Sequence, residues 1–289
     1  MEKLYKNMEF LNLENEDLSV ILLPDLGFKI ASIKHKIKNF EFVFQPTDGK
    51  YERAKYGDDF SKYDTSGIDD CIPSIDTCLY PGTDIKLVDH GDVWSLKWNV
   101  EPTYNGYVGK VTLPSIPLIF EKYISLEKSK IIIKYKIINN TDKNYMYLWA
   151  FHGLLNYEDS SYLEFPHELK NYINVQNDEV WDFDITKISN FKENSTYKYY
   201  FTDKMSKGWA SLVHPDKHLK FEINFNPIVI PYLGVWLTTG GFKGEKNIAI
   251  EPSNGFYDSL ENAFDNEKYE KVMANSSNEW SVEINIKEV

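Results

Sequence analysis

Apolar and polar residues alternate with period two along most of the chain, the mark of half-buried β-strands. Asp17-Leu18-Ser19-Val20-Ile21-Leu22-Leu23 reads as a strand closed by Pro24-Asp25-Leu26-Gly27. Phe28 to Ile37 reads as the next. Ile131 to Ile138 is a strand followed by the turn Asn139-Asn140-Thr141-Asp142 and then by Asn144 to His152, a pattern that predicts a hairpin. Further strands are predicted at 94–100, 118–126, 209–214, 218–226, 232–239, 247–251 and 279–287. Helical periodicity is scarce, and only Ser259 to Phe264 could hold a turn or two. Many strands joined by short loops predict an all-β fold, a large antiparallel β-sandwich. No internal repeat and no low-complexity linker divides it, so residues 1–289 read as a single domain. The polar stretch 45–70 is the longest segment without a strand pattern, and loops of that length in a compact domain are often functional.

Composition narrows the function classes. The 289 residues are 42% hydrophobic and 15% aromatic, enough for a sizeable core. No run of eighteen apolar residues predicts a transmembrane helix, and the first residues lack a signal-like apolar segment, so a cytoplasmic protein is expected. A net charge of −12 with no basic cluster argues against nucleic acid or a membrane surface as partner. Arg53 is the only arginine, which disfavours a phosphorylated ligand, because arginine is the usual bidentate clamp for phosphate. Cys71 and Cys78 have neither zinc nor thioredoxin spacing and are expected to be reduced thiols. No motif for phosphate-loop, dinucleotide or serine-hydrolase chemistry occurs.

Two titratable residues end apolar runs. His152 follows Met146, Leu148 and Ala150 on one strand face and meets Gly153, where the strand is expected to end. Glu251 shares a face with Asn247 and Ala249, and Pro252 is expected to end that ladder. Buried ionisable groups are costly unless paired or used. A satisfied core histidine and a solvent-facing strand-end glutamate give the same patterns. Used together, the two residues could serve as general acid and base near neutral pH. His90, in Asp89-His90-Gly91-Asp92, is a turn histidine able to donate to a ligand hydroxyl. A metal site is not expected there, because adjacent strand residues point to opposite faces. His35, His167, His214 and His218 read as surface residues. Trp149, Trp236 and Tyr232 lie on apolar runs near the candidate strands, and sugar pockets mix aromatics with hydrogen-bonding groups.

Six segments in order resemble the aldose 1-epimerase, or galactose mutarotase-like, family, from about residue 18 to 287. They are Leu22 to Ile33 with its glycine turn, Gly67-Ile68-Asp69-Asp70-Cys71-Ile72-Pro73-Ser74, His90-Gly91 ahead of Trp98, His152 to Asn156, Glu251-Pro252 with Gly255-Phe256-Tyr257-Asp258, and Asn278 to Ile284. The resemblance implies a twisted supersandwich with a sugar cleft across one sheet and no cofactor or metal. It implies that Glu251 takes the proton from the anomeric hydroxyl while His152 protonates the ring oxygen. His90, Asp70, Trp149 and Trp236 would bind the sugar. The sequence departs from the pattern at Gly153, where the family has proline, and at Leu155, where it has phenylalanine. Val93 stands where some branches have a sugar-contacting arginine, and Asp70 replaces a glutamate.

The expected partner is therefore a small-molecule sugar, with no nucleic acid and no membrane, and with a homodimer as an allowed assembly. The rivals are a non-catalytic carbohydrate-binding protein on the same fold and an epimerase of a phosphorylated hexose, which would need basic residues at the cleft mouth. A glycoside hydrolase would need a second carboxylate beside Glu251.

Overall fold

The structure, a computed structural model, describes residues 4–63, 65–176 and 180–289. Two large sheets dominate, and every strand pairing within them is antiparallel. The eight-stranded sheet runs Asn99–Pro102, Gly106–Thr112, Ile119–Glu127, Lys130–Asn139, Ser276–Glu288, Leu219–Phe225, Trp209–His214, Tyr162–Glu164. The ten-stranded sheet runs Tyr172–Asn174, Thr196–Phe201, Tyr232–Thr239, Lys246–Ser253, Ala150–Leu155, Ile68–Cys71, Lys29–His35, Leu18–Leu23, Leu11–Glu14, and Phe40–Glu41 pairs with Lys29–His35. One hydrophobic cluster joins them, with Ile131, Ile133, Tyr135 and Ile137 from the first sheet packed in the same core as Leu233, Val235, Ile248 and Ile250 from the second. The predicted all-β sandwich is the observed architecture. The predicted helical turn is the helix Leu260–Asp265, whose N-cap Ser259 accepts from the Asn262 N–H.

Three local expectations are corrected. The Lys130–Asn139 strand does not form a hairpin with the segment that follows it. It pairs instead with Ile119–Glu127 and Ser276–Glu288, while the chain crosses to the other sheet. Burial explains why: Lys130–Asn139 alternates between buried and less buried, whereas Ala150–Leu155 is buried at all six positions. A strand buried on both faces belongs inside the large sheet. It pairs there with both Lys246–Ser253 and Ile68–Cys71. For the same reason His152 lies mid-strand rather than at its end.

Pro252 does not terminate its strand, because Leu233 still pairs with it. On the other side the ladder opens: Ala150 pairs with Ser253 and Gly153 with Ile250, with no pairing recorded between. A residue without an N–H interrupts hydrogen bonding without moving the register. That opening falls at His152 and Glu251. Third, the 94–100 strand is confined to Asn99–Pro102. The histidine assignment also changes, because His35 and His214 are buried, and His214 packs edge-on against Phe40 and Phe42. Cys71 and Cys78 are free and buried.

Candidate active site

The register of the ten-stranded sheet assembles the site in two rows. Tyr200 faces Gly234, Gly234 faces Glu251, the common register sets Glu251 across from His152, and His152 faces Asp69. One step along, Lys198 faces Trp236, Trp236 faces Ala249, and Ala249 faces Leu154. Period-two alternation makes both rows point to one face. That face holds a cavity of about 120 Å³ lined by His90, His152, Leu154, Lys198, Trp236, Asn247 and Glu251, and walled by Phe60, Ser61, Thr65 and Phe242. Gly234 is needed in the first row, since a Cβ there would lie 2.7 Å from the Tyr200 ring.

The long polar stretch supplies the outer wall. Its short 3-10 turn Phe60–Lys62 is capped by Asp59, which accepts from the Ser61 N–H. Phe60 stacks on His90 with ring centres 3.9 Å apart and meets His152 edge-on. His90 is fixed by Asp89, 2.8 Å from its Nδ1, and its ring lies edge-on to His152 at 5.1 Å. Gly91 lets this loop close: its φ is +76°, and a Cβ would come within 2.4 Å of the Ile72 backbone. Glycine at position 91 is thus a steric requirement of the turn that presents His90.

His152 Nε2 stands 3.8 Å from Glu251 Oε1, too far for a hydrogen bond but close enough for strong electrostatic coupling. His152 Nδ1 and Glu251 Oε1 are buried without a hydrogen-bond partner among the described residues. Such groups are rare away from functional sites. Burial pulls the His152 imidazole well below its ordinary range, and His90, Lys198 and Lys29 add to the effect. Burial likewise pushes the Glu251 carboxyl up to about 7, with Lys198 opposing and Asp258 reinforcing it.

The folded protein therefore binds more protons at Glu251 than the unfolded chain does between about pH 4.5 and 7, and stability falls as pH rises through that window. Glu251→Gln removes this penalty. The variant should match the wild type near pH 5 and exceed it at pH 8 by about 3 kcal/mol, measured by urea unfolding at each pH. Equal stability at pH 8 would show that Glu251 titrates normally.

Not every sequence candidate reaches the cavity. His90, His152, Trp236 and Glu251 line it. Asp70 and Trp149 do not, which corrects their assignment to the sugar shell. Both lie in the core between the sheets, 3% and 0% exposed. Asp70 is ion-paired to the buried Lys122 at 2.8 Å and accepts from the Trp149 indole at 3.0 Å. Trp149 packs on Tyr135 and Trp280. The reason is alternation: Asp69 is opposite His152, so its neighbour Asp70 points the other way.

The sequence reading does not single out Lys198, and it places Asn247 on the face of Glu251 without a role. Lys198 sits in Thr196-Tyr197-Lys198-Tyr199-Tyr200-Phe201, whose β-branched and aromatic residues are a strand signal in plain view. Asn247 accepts from the Trp236 indole at 3.2 Å and donates to Glu245 at 3.3 Å, which fixes the indole beside the cavity.

No family model matches the chain. Over 168 residues it is 26% identical to the membrane protein insertase YidC of Pelagibacter ubique (strain HTCC1062). That alignment takes in 58% of this chain and 30% of the insertase, so the chain spans less than a third of that protein's length. Among the described residues, no helix is long and apolar enough to cross a membrane. The Slr1438 protein of Synechocystis sp. PCC 6803 superimposes with a TM-score of 0.79 over 99% of both chains at 17% identity. A galactose mutarotase-like protein from Lactobacillus casei ATCC 334 superimposes with a TM-score of 0.71 at 14% identity, over 96% of this chain and 100% of that one. The chain therefore has the galactose mutarotase-like β-sandwich fold.

Proposed function

We propose that this protein is an isomerase of the aldose 1-epimerase type, interconverting the α and β anomers of a free aldose. The observation that carries the proposal is the pair His152 and Glu251, 3.8 Å apart on adjacent strands and lining one cavity. The two oxygens that must exchange protons, the anomeric hydroxyl and the ring oxygen, are bonded to the same carbon. Two facing titratable groups on neighbouring strands match that spacing. Trp236 offers an apolar face for the sugar ring, and Asn247, Ser61, Thr65 and His90 offer polar contacts to its hydroxyls.

Ring opening needs one base and one acid at once. Glu251 as carboxylate takes the anomeric proton while His152 as imidazolium protonates the ring oxygen. The C1–C2 bond rotates, and closure on the other aldehyde face runs with the two roles reversed. Each half-cycle thus moves one net proton between the two side chains. A pair holding two protons lacks the base, and a pair holding none lacks the acid. The competent pair holds one proton. Burial settles it mainly on Glu251, so the productive carboxylate–imidazolium form is reached when it passes to His152, and the pair's proton is lost at alkaline pH, near pH 7.

Charge in the site favours a neutral sugar. Lys198 is the one ammonium among the cavity-lining residues, and Asp258 already pairs with it. A second cavity is lined by Lys50, Lys62 and Lys243, but Asp48, Glu52 and Glu245 balance them. Polarimetric relaxation of freshly dissolved anomers should therefore show higher kcat/KM for neutral aldoses than for their 6-phosphates. A clear preference for the phosphate esters would favour the phosphorylated-hexose rival instead. Sugar binding without any acceleration would favour the carbohydrate-binding one.

A further inference from the structure

Lys198 is the feature of the cavity that the acid–base chemistry leaves unused. It lies on the strand Thr196–Phe201, two strands from Glu251, lines the cavity and has its side chain 17% exposed. Its ammonium contacts Asp258 Oδ1 at 2.5 Å, and the Tyr200 hydroxyl donates to the same oxygen at 2.7 Å. Tyr200 and Lys198 leave the same strand face, one in each row of the site. Asp258 thus holds both side chains from outside the cavity.

We propose that Lys198 is a positioning residue for Glu251: anchored by Asp258, its ammonium supplies the positive charge that keeps the Glu251 carboxylate available as a base inside the cavity. The proposal rests on Glu251 being the acid–base carboxylate. The charged and titratable groups that bear on Glu251 are Lys198 and Asp258, with His152 on the neighbouring strand, Cys71 two strands away and Tyr200 in the same row. Of these, Lys198 favours the ionised carboxylate and Asp258 opposes it. The ammonium is itself held charged: burial works against it, and the carboxylates of Asp258 and Glu251 outweigh burial. Without Lys198 the carboxylate loses the ammonium that opposes its desolvation, and Glu251 would keep its proton to higher pH.

The two neighbours have opposite signs, and that makes the test selective. Glu251 can be titrated directly by ¹³C NMR of side-chain-labelled glutamate, its resonance assigned by absence in Glu251→Gln. Lys198→Met should move the Glu251 titration upward by about one pH unit, the usual effect of one nearby charge. Asp258→Asn should move it downward, and Lys198→Arg should leave it near the wild-type position. The alkaline limb of kcat/KM should follow each shift. A structural disturbance would not give opposite displacements from two adjacent substitutions. An unmoved titration in Lys198→Met, or an upward one in Asp258→Asn, overturns the proposal. If Lys198→Met does not fold, Lys198→Gln decides in its place: an upward shift of the Glu251 titration supports the proposal, and no shift or a downward one overturns it. If the titrations shift as expected while the wild type does not accelerate anomer exchange, the Lys198 assignment stands and the proposed function fails.

Discussion

Glu251→Gln should abolish most of the activity, lowering kcat by ~10²-fold or more while KM changes little. Glutamine keeps the shape and polarity of the buried side chain but cannot accept the anomeric proton. His152→Asn should act in the same way, because opening needs the base and the acid in one step. The double variant should be only slightly worse than either single one, since groups that act as a unit are not additive. The assay is polarimetric relaxation of a pure anomer, corrected for the spontaneous rate. Variants as active as the wild type would remove both side chains from the chemistry. Additive losses would mean that they act in separate steps.

Lys122→Met should destabilise the protein by about 3–5 kcal/mol, the cost of leaving a buried charge without its partner. Lys122 and Asp70 are each 3% exposed and 2.8 Å apart, and the ammonium also lies over the rings of Phe28 and Trp98. The substitution keeps the length of the side chain and removes the charge. Adding Asp70→Asn should restore part of the loss, because the orphaned carboxylate is then gone. Urea unfolding followed by tryptophan fluorescence gives both values. Variants that stay as stable as the wild type but bind sugar poorly would return Asp70 to the ligand shell.

The contrast between Asp70 and His152 shows what sequence could reveal here. Strand periodicity located most strands and the all-β class, because alternation is set locally by one buried face. It also assigned faces correctly within a strand: Asn247 and Glu251 do share the cavity side. What periodicity lacks is the identity of the other side. Asp70 follows Asp69, which lies opposite His152, and therefore faces the core, where the distant Lys122 and the Trp149 indole make it tolerable. The predicted hairpin failed for a related reason. A short polar turn between two apolar runs fits a crossover between sheets as well as a reversal within one. Pro252 misled because it breaks hydrogen bonds on one side of its strand while pairing continues on the other. The strand pattern around Lys198 does not reveal that Asp258, sixty residues away, is the partner that draws it inward.

Exchange NMR on the sugar itself tests the central claim most directly. At anomeric equilibrium no net reaction occurs, so cross-peaks between the α and β anomeric protons report interconversion alone. The wild type should produce cross-peaks that grow in proportion to enzyme concentration for at least one neutral aldose. With Glu251→Gln they should fall to the uncatalysed level. Saturation-transfer signals showing that an aldose binds, with anomer exchange no faster than in buffer across the panel, would contradict the proposal and leave a sugar-binding protein on this fold.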